Sequence, residues 1–63
     1  MPFQYNLRSL RQKEKLTQQQ LGNVLHLSRN AISNYELGKQ EPSLETLKNI
    51  AHFFGVTVDE LIE

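Results

Sequence analysis

The 63-residue sequence contains no cysteine, which excludes a disulfide framework and a thiolate metal site. Its two histidines, His26 and His52, are too few to close a zinc site that wants four ligands. No apolar run approaches the roughly 18 residues of a membrane span, and no signal-peptide core follows Met1. Catalytic groups are equally scarce. His26 and His52 lie 26 residues apart on different elements, with no Ser/His/Asp arrangement and no Gly-rich phosphate loop. Nothing reads as a strand, because the β-branched run Val56-Thr57-Val58 also fits a helix cap. A chain this size buries only about 60% of the surface it exposes when unfolded. The expectation is one small domain over residues 1–63, in a reducing compartment. It is not an enzyme, and no metal, cofactor, small-molecule ligand or membrane partner is written into it.

The net charge is zero, which argues against nucleic acid until its distribution is read. Residues 1–40 hold Arg8, Arg11, Lys13, Lys15, Arg29 and Lys39 against Glu14 and Glu36, a net of +4. Residues 41–63 hold Lys48 against Glu41, Glu45, Asp59, Glu60 and Glu63, a net of −4. This is either ordinary segregation between solvated faces or a dipolar molecule with one anion-facing side.

The punctuation is helical throughout. Thr17 and Gln20 form a capping box, with Leu16 and Leu21 placed as the hydrophobic staple over it. Thr57 and Glu60 repeat the box, and Val56 and Leu61 the staple. Ser28 offers a weaker version, stapled by Leu27 and Ile32, because Ala31 cannot return the bond. Ser43 after Pro42 opens another helix, and Gly55 ends it in the left-handed position. Gly38 stops the one before. These signals predict five short helices over about 4–15, 18–25, 29–37, 44–54 and 58–62.

Projection at about 100° per residue divides their faces. On the third helix, Ala31, Ile32 and Tyr35 make a core side. Arg29, Asn30, Ser33 and Asn34 gather on the opposite side, with no apolar member. Asparagine and serine are mediocre helix formers, and a helix chosen only for solubility would favour Glu, Lys and Gln. On the second helix Leu21, Val24 and Leu25 form the core stripe. Gly22 beside it is either tolerated at about 1 kcal/mol or marks a close helix crossing. On the first helix Arg11 shares the face of Leu7, Leu10 and Glu14. It pairs either with Glu14 one turn on or with Glu36 across the core. On the fourth helix Leu44, Leu47, Ile50, Ala51 and Phe54 form the stripe. Phe53 stands off it, either capping the core edge or joining Val58 and Ile62 in a small self-complementary patch.

Two short helices joined by His26-Leu27-Ser28, the second with a polar outer face, form a helix-turn-helix pattern. The specific elements are Thr17-Gln18-Gln19-Gln20-Leu21, the run Ile32 to Lys39, and Pro42-Ser43-Leu44-Glu45-Thr46-Leu47. In this order and spacing, with Leu10-Arg11 before them and Ile50-Ala51 and Gly55-Val56 after, they resemble the Cro/phage-repressor helix-turn-helix type, the Xre family. The resemblance covers nearly the whole chain. It implies an all-α, compact five-helix bundle of the lambda-repressor-like type that binds double-stranded operator DNA as a homodimer.

Helix 3 would then be the recognition helix. Arg29, Asn30 and Asn34 match base-reading positions, with Ser28 and Ser33 nearby. Gln18 matches a phosphate contact, and Arg11 and Glu36 match a buried ion pair. Two residues depart from the pattern: His26 stands at a turn position usually filled by glycine, and Gly22 where a small alanine is usual. Chemistry agrees with the face. Arginine pairs bidentately with guanine and asparagine with adenine in the major groove. Helix N-termini at Gln18 and Ser28 can donate amides to phosphate, and Lys39 supplies a flexible point charge. The expected function is a cytoplasmic, bacterial or phage-encoded transcription repressor that acts by occupancy. The alternative is a protein-interaction module, such as an antitoxin or the amino-terminal domain of a larger regulator.

Overall fold

Five α-helices make up the regular structure of residues 2–63, the part that the computed structural model describes. They are α1 (Pro2–Lys13), α2 (Gln18–Leu25), α3 (Arg29–Glu36), α4 (Leu44–Phe54) and α5 (Val58–Ile62). Four open on a hydroxyl cap. Thr17 Oγ1 accepts the Gln20 N–H at 3.0 Å, and Thr57 Oγ1 accepts that of Glu60 at 3.0 Å. Both boxes close, since Gln20 and Glu60 each accept the cap residue's N–H at 2.9 Å. Ser28 and Ser43 cap α3 and α4 from one side only.

The first helix sits two residues earlier than the expected 4–15, over Pro2–Lys13. Proline fits a first turn because its φ is preset and its missing N–H would be unpaired there. The other end stops early because Lys15 adopts a left-handed conformation, φ 59°. α3 likewise ends at Glu36, with Leu37 as its cap.

Left-handed residues close four helices in the same way. At Lys15, His26, Gly38 and Gly55 the backbone turns, and the next N–H reaches back to a carbonyl five residues earlier. These are Schellman closures, which satisfy carbonyls that the helix end orphans. In three of them the following residue is apolar and the one after is a hydroxyl cap: Leu16-Thr17, Leu27-Ser28 and Val56-Thr57. The same three-residue unit therefore serves α2–α3 and α4–α5, and α1–α2 with Glu14 added before it. Each connection seats a staple residue, Leu21, Ile32 or Leu61, which is fully buried. Burying each such side chain contributes about 1.5–3 kcal/mol.

The core is Phe3, Leu7, Leu21, Ile32, Tyr35, Ile50, Ala51 and Leu61, with Phe3 and Tyr35 edge to face at 6.2 Å. Two residues expected in core stripes lie outside it. Val24 is 48% exposed, because the buried side of α2 centres on Leu21, Gly22 and Leu25 and leaves it at the edge. Leu44 is 61% exposed in the first turn of α4, past the end of the core. Gly22 does mark a close approach, but to the turn rather than to a crossing helix. A Cβ there would stand 2.6 Å from the Leu27 carbonyl oxygen. At the far end, Asn6 Nδ2 donates to the carbonyls of Leu61 (2.8 Å) and Glu63 (3.1 Å) and ties α5 to α1.

Candidate nucleic-acid interface

α3 is fixed to the bundle by its inner side, where Ile32, Tyr35 and Glu36 are buried. Its outer side holds Arg29 and Asn30, both exposed, and Ser33 and Asn34, both half-buried. Among the described residues none of these four side chains makes a hydrogen bond or an ion pair within the protein. Four adjacent polar groups thus keep their donors and acceptors for something outside. Arg29 stands in the first turn, where the helix dipole disfavours a cation. Its position is costly for α3 alone and is suited to an anion or a base edge.

The turn before α3 is held by His26, with φ 58° and ψ 39°. The missing glycine does not shift the turn. The His26 N–H still bonds the Asn23 carbonyl, and the Leu27 N–H bonds that of Gly22 at 2.8 Å. The histidine instead carries the cost of a left-handed backbone, about 1–2 kcal/mol for a residue with a Cβ. Ser28 is exposed at the head of α3, and its Oγ accepts the Ala31 N–H at 3.0 Å. That leaves its hydroxyl proton to donate outward. Lys39 is exposed just beyond Gly38. Gly38 has φ 74° and leaves the space beside it to the Gln4 side chain.

Charge is arranged to match. No acidic residue stands in the first turn of α1, α2 or α3. Glu45 stands in that of α4, and Asp59 and Glu60 in that of α5. The positive ends of α2 and α3 are left uncompensated, as anion contact requires. This asymmetry is readable from the sequence once the helix starts are known.

Arg11 pairs with Glu36 and not with Glu14. Its Nε donates to Oε2 at 2.6 Å and its Nη2 to Oε1 at 2.9 Å, a two-point geometry. The side chains are 12% and 3% exposed. A third donor, Nη1, reaches the Leu16 carbonyl at 2.8 Å and pins the α1–α2 connection. The hydrogen bond to Glu36 holds the guanidinium above its already high ordinary pKa, the carboxylate's charge adds to this, and burial opposes it. Gln18 donates its Nε2 to Glu36 Oε1 at 3.1 Å, a link from the head of α2 to the foot of α3 that no spacing in the sequence signals.

Phe53 is 42% exposed and lies edge to face with Phe54 at 5.0 Å. It lines an open groove of about 320 Å³ with Val24, Leu25, His26, Asn49 and His52. Val58 and Ile62 are half-buried and pack against the core. No helix of the described residues is long and apolar enough to cross a membrane.

A helix-turn-helix family model matches residues 7–61, which include the Arg11–Glu36 pair, α2 and α3. The chain belongs to the helix-turn-helix family. Several of its relatives carry the same label in their names. It is 50% identical over 62 residues to the HTH-type transcriptional activator BcrR of Enterococcus faecalis, covering 98% of this chain and 30% of that one. It is 41% identical over 61 residues to the uncharacterized HTH-type transcriptional regulator YqaE of Bacillus subtilis, covering 97% and 53%. It is 37% identical over 60 residues to the cryptic phage CTXphi transcriptional repressor RstR of Vibrio cholerae, covering 95% and 54%. This helix-turn-helix chain therefore spans between about a third and a half of the length of these relatives. No solved structure matches it significantly. The matched residues include α2, the turn after it and α3.

Proposed function

We propose that the chain reads operator DNA with α3 and regulates transcription by occupying that site as a two-fold dimer. The observation that carries this is the outer side of α3, four polar side chains with no partner among the described residues. Asn30 and Asn34 pair with adenine N6 and N7, and Arg29 with guanine O6 and N7. Ser33 lies among them as a donor or acceptor to either base. Gln18, Ser28 and Lys39 hold phosphates on either side and set the register of the helix in the groove. Occupancy that blocks polymerase gives repression, and no catalytic step, cofactor or membrane is part of the reading. Such a protein works in the cytoplasm, on the chromosome.

One observation favours a second reading, in which this bundle is the DNA-tethering domain of a longer regulator. Its relatives are longer, and one of them is named an activator. An antitoxin-like interaction module has no such support. Selection of bound duplexes from a random library tests the proposal. A palindromic enriched site is the expected result. Recovery of no sequence preference, with binding that ignores salt, would contradict it.

A further inference from the structure

Gln18 heads α2 with a carboxamide, which has one acceptor and two donor hydrogens. Which end faces outward decides what it can bind. A phosphate oxygen only accepts, so the amide nitrogen must point toward it. The Glu36 carboxylate is also acceptor-only, and it takes the Gln18 nitrogen at 3.1 Å. Glu36 cannot turn away, because two Arg11 nitrogens hold both of its oxygens. Arg11 in turn is fixed by the Leu16 carbonyl, immediately before the cap of α2. The carboxamide oxygen is thereby turned away from Glu36. One hydrogen on the nitrogen is used and the second remains free.

From this chain of bonds we infer that Glu36, clamped by Arg11, is a positioning residue that fixes the polarity of the Gln18 amide for a DNA phosphate. The inference rests on the reading of Gln18 as a phosphate contact. The buried pair then does more than hold α1 to α3. It presets a contact at α2 and joins phosphate binding to the packing of the recognition helix. Without Glu36 the amide rotates freely and spends part of its time presenting oxygen to an anion.

The test is the cost of Gln18→Ala in two backgrounds, measured on the duplex recovered from a random library. One background is the wild-type protein. The other is Arg11→Met with Glu36→Leu, an apolar replacement of the whole pair, which proteins often tolerate. In the wild type the substitution should weaken binding about tenfold, as for one hydrogen bond to a charged group, on all duplexes alike. In the apolar background it should cost measurably less, because the amide presents its nitrogen only part of the time and must be ordered on binding. A purely structural pair would leave the Gln18→Ala cost equal in both backgrounds, and that result overturns the inference while keeping the contact. No cost in the wild type would mean that Gln18 holds no phosphate, which defeats the contact itself. If the apolar background fails to fold, the wild-type Gln18 side-chain amide resonances decide. One proton should be protected from exchange by Glu36 and the other should shift on adding the duplex. Two freely exchanging protons would overturn the inference.

Discussion

His26 shows what a single backbone conformation costs and what it keeps. It holds the left-handed place between α2 and α3 at φ 58°, where a Cβ is unfavourable and glycine is not. His26→Gly should raise stability by up to about 1 kcal/mol, the usual gain from relieving such strain less the extra freedom of the unfolded chain. Urea denaturation measures it, and a loss of stability would mean that the imidazole makes packing contacts worth more than the strain. Arg11 and Glu36 behave oppositely. Removing either one leaves an uncompensated buried charge, so Arg11→Met or Glu36→Leu alone should cost about 3–5 kcal/mol. The double substitution should recover most of that, and melting temperatures of the three variants decide. The folded-state pKa of Arg11 is raised, so its share of this stability is fully present below the ordinary arginine value. As pH rises, it is lost only in strong alkali.

Three of the four helix connections are one repeated device, a left-handed residue, a staple and a hydroxyl cap. α5 depends on it most. Five residues cannot hold a helix alone, so its order comes from Thr57, buried Leu61 and the Asn6 side chain on its last carbonyls. Thr57→Ala should cost about 1 kcal/mol. Asn6→Ala should raise amide exchange in α5 well before global unfolding, whereas uniform acceleration across all five helices would show that α5 is not a separate unit. The starts of α2 to α5 were legible because each rests on local grammar, a hydroxyl followed three residues later by the amide it caps, and α1 has no such cap. The end of α1 was not, since nothing in Lys15 announces a left-handed backbone. The polar side of α3 was legible from angle alone. The partner of Arg11 stayed open between Glu14 and Glu36 because both satisfy the same charge, and only tertiary packing separates them. The Asn6 and Gln18 bonds span 55 and 18 residues, and local pattern carries no information about them.

For the molecule as a whole, a neutral chain can still be a DNA reader, because its charge is divided. The first 40 residues are net +4 and the rest net −4. Affinity for any duplex should therefore fall steeply with salt despite the zero total. Exposed Phe53 is proposed, with Val58 and Ile62, as the contact between two copies that set their α3 helices about 34 Å apart. Phe53→Asp should leave the bundle folded and convert two chains per operator to one, read by sedimentation with and without DNA. Unchanged stoichiometry would move the contact elsewhere. The proposal that α3 reads bases while its flanks hold phosphates is decided by a binding series over single-base operator variants at two salt concentrations. Asn30→Ala and Asn34→Ala should each cost about 1–3 kcal/mol on the best site and relax preference at particular base pairs. Lys39→Ala should weaken all variants alike and lower the salt slope by about one. If the asparagine variants lose affinity uniformly while Lys39→Ala alters base preference, the outer side of α3 is not the reading surface.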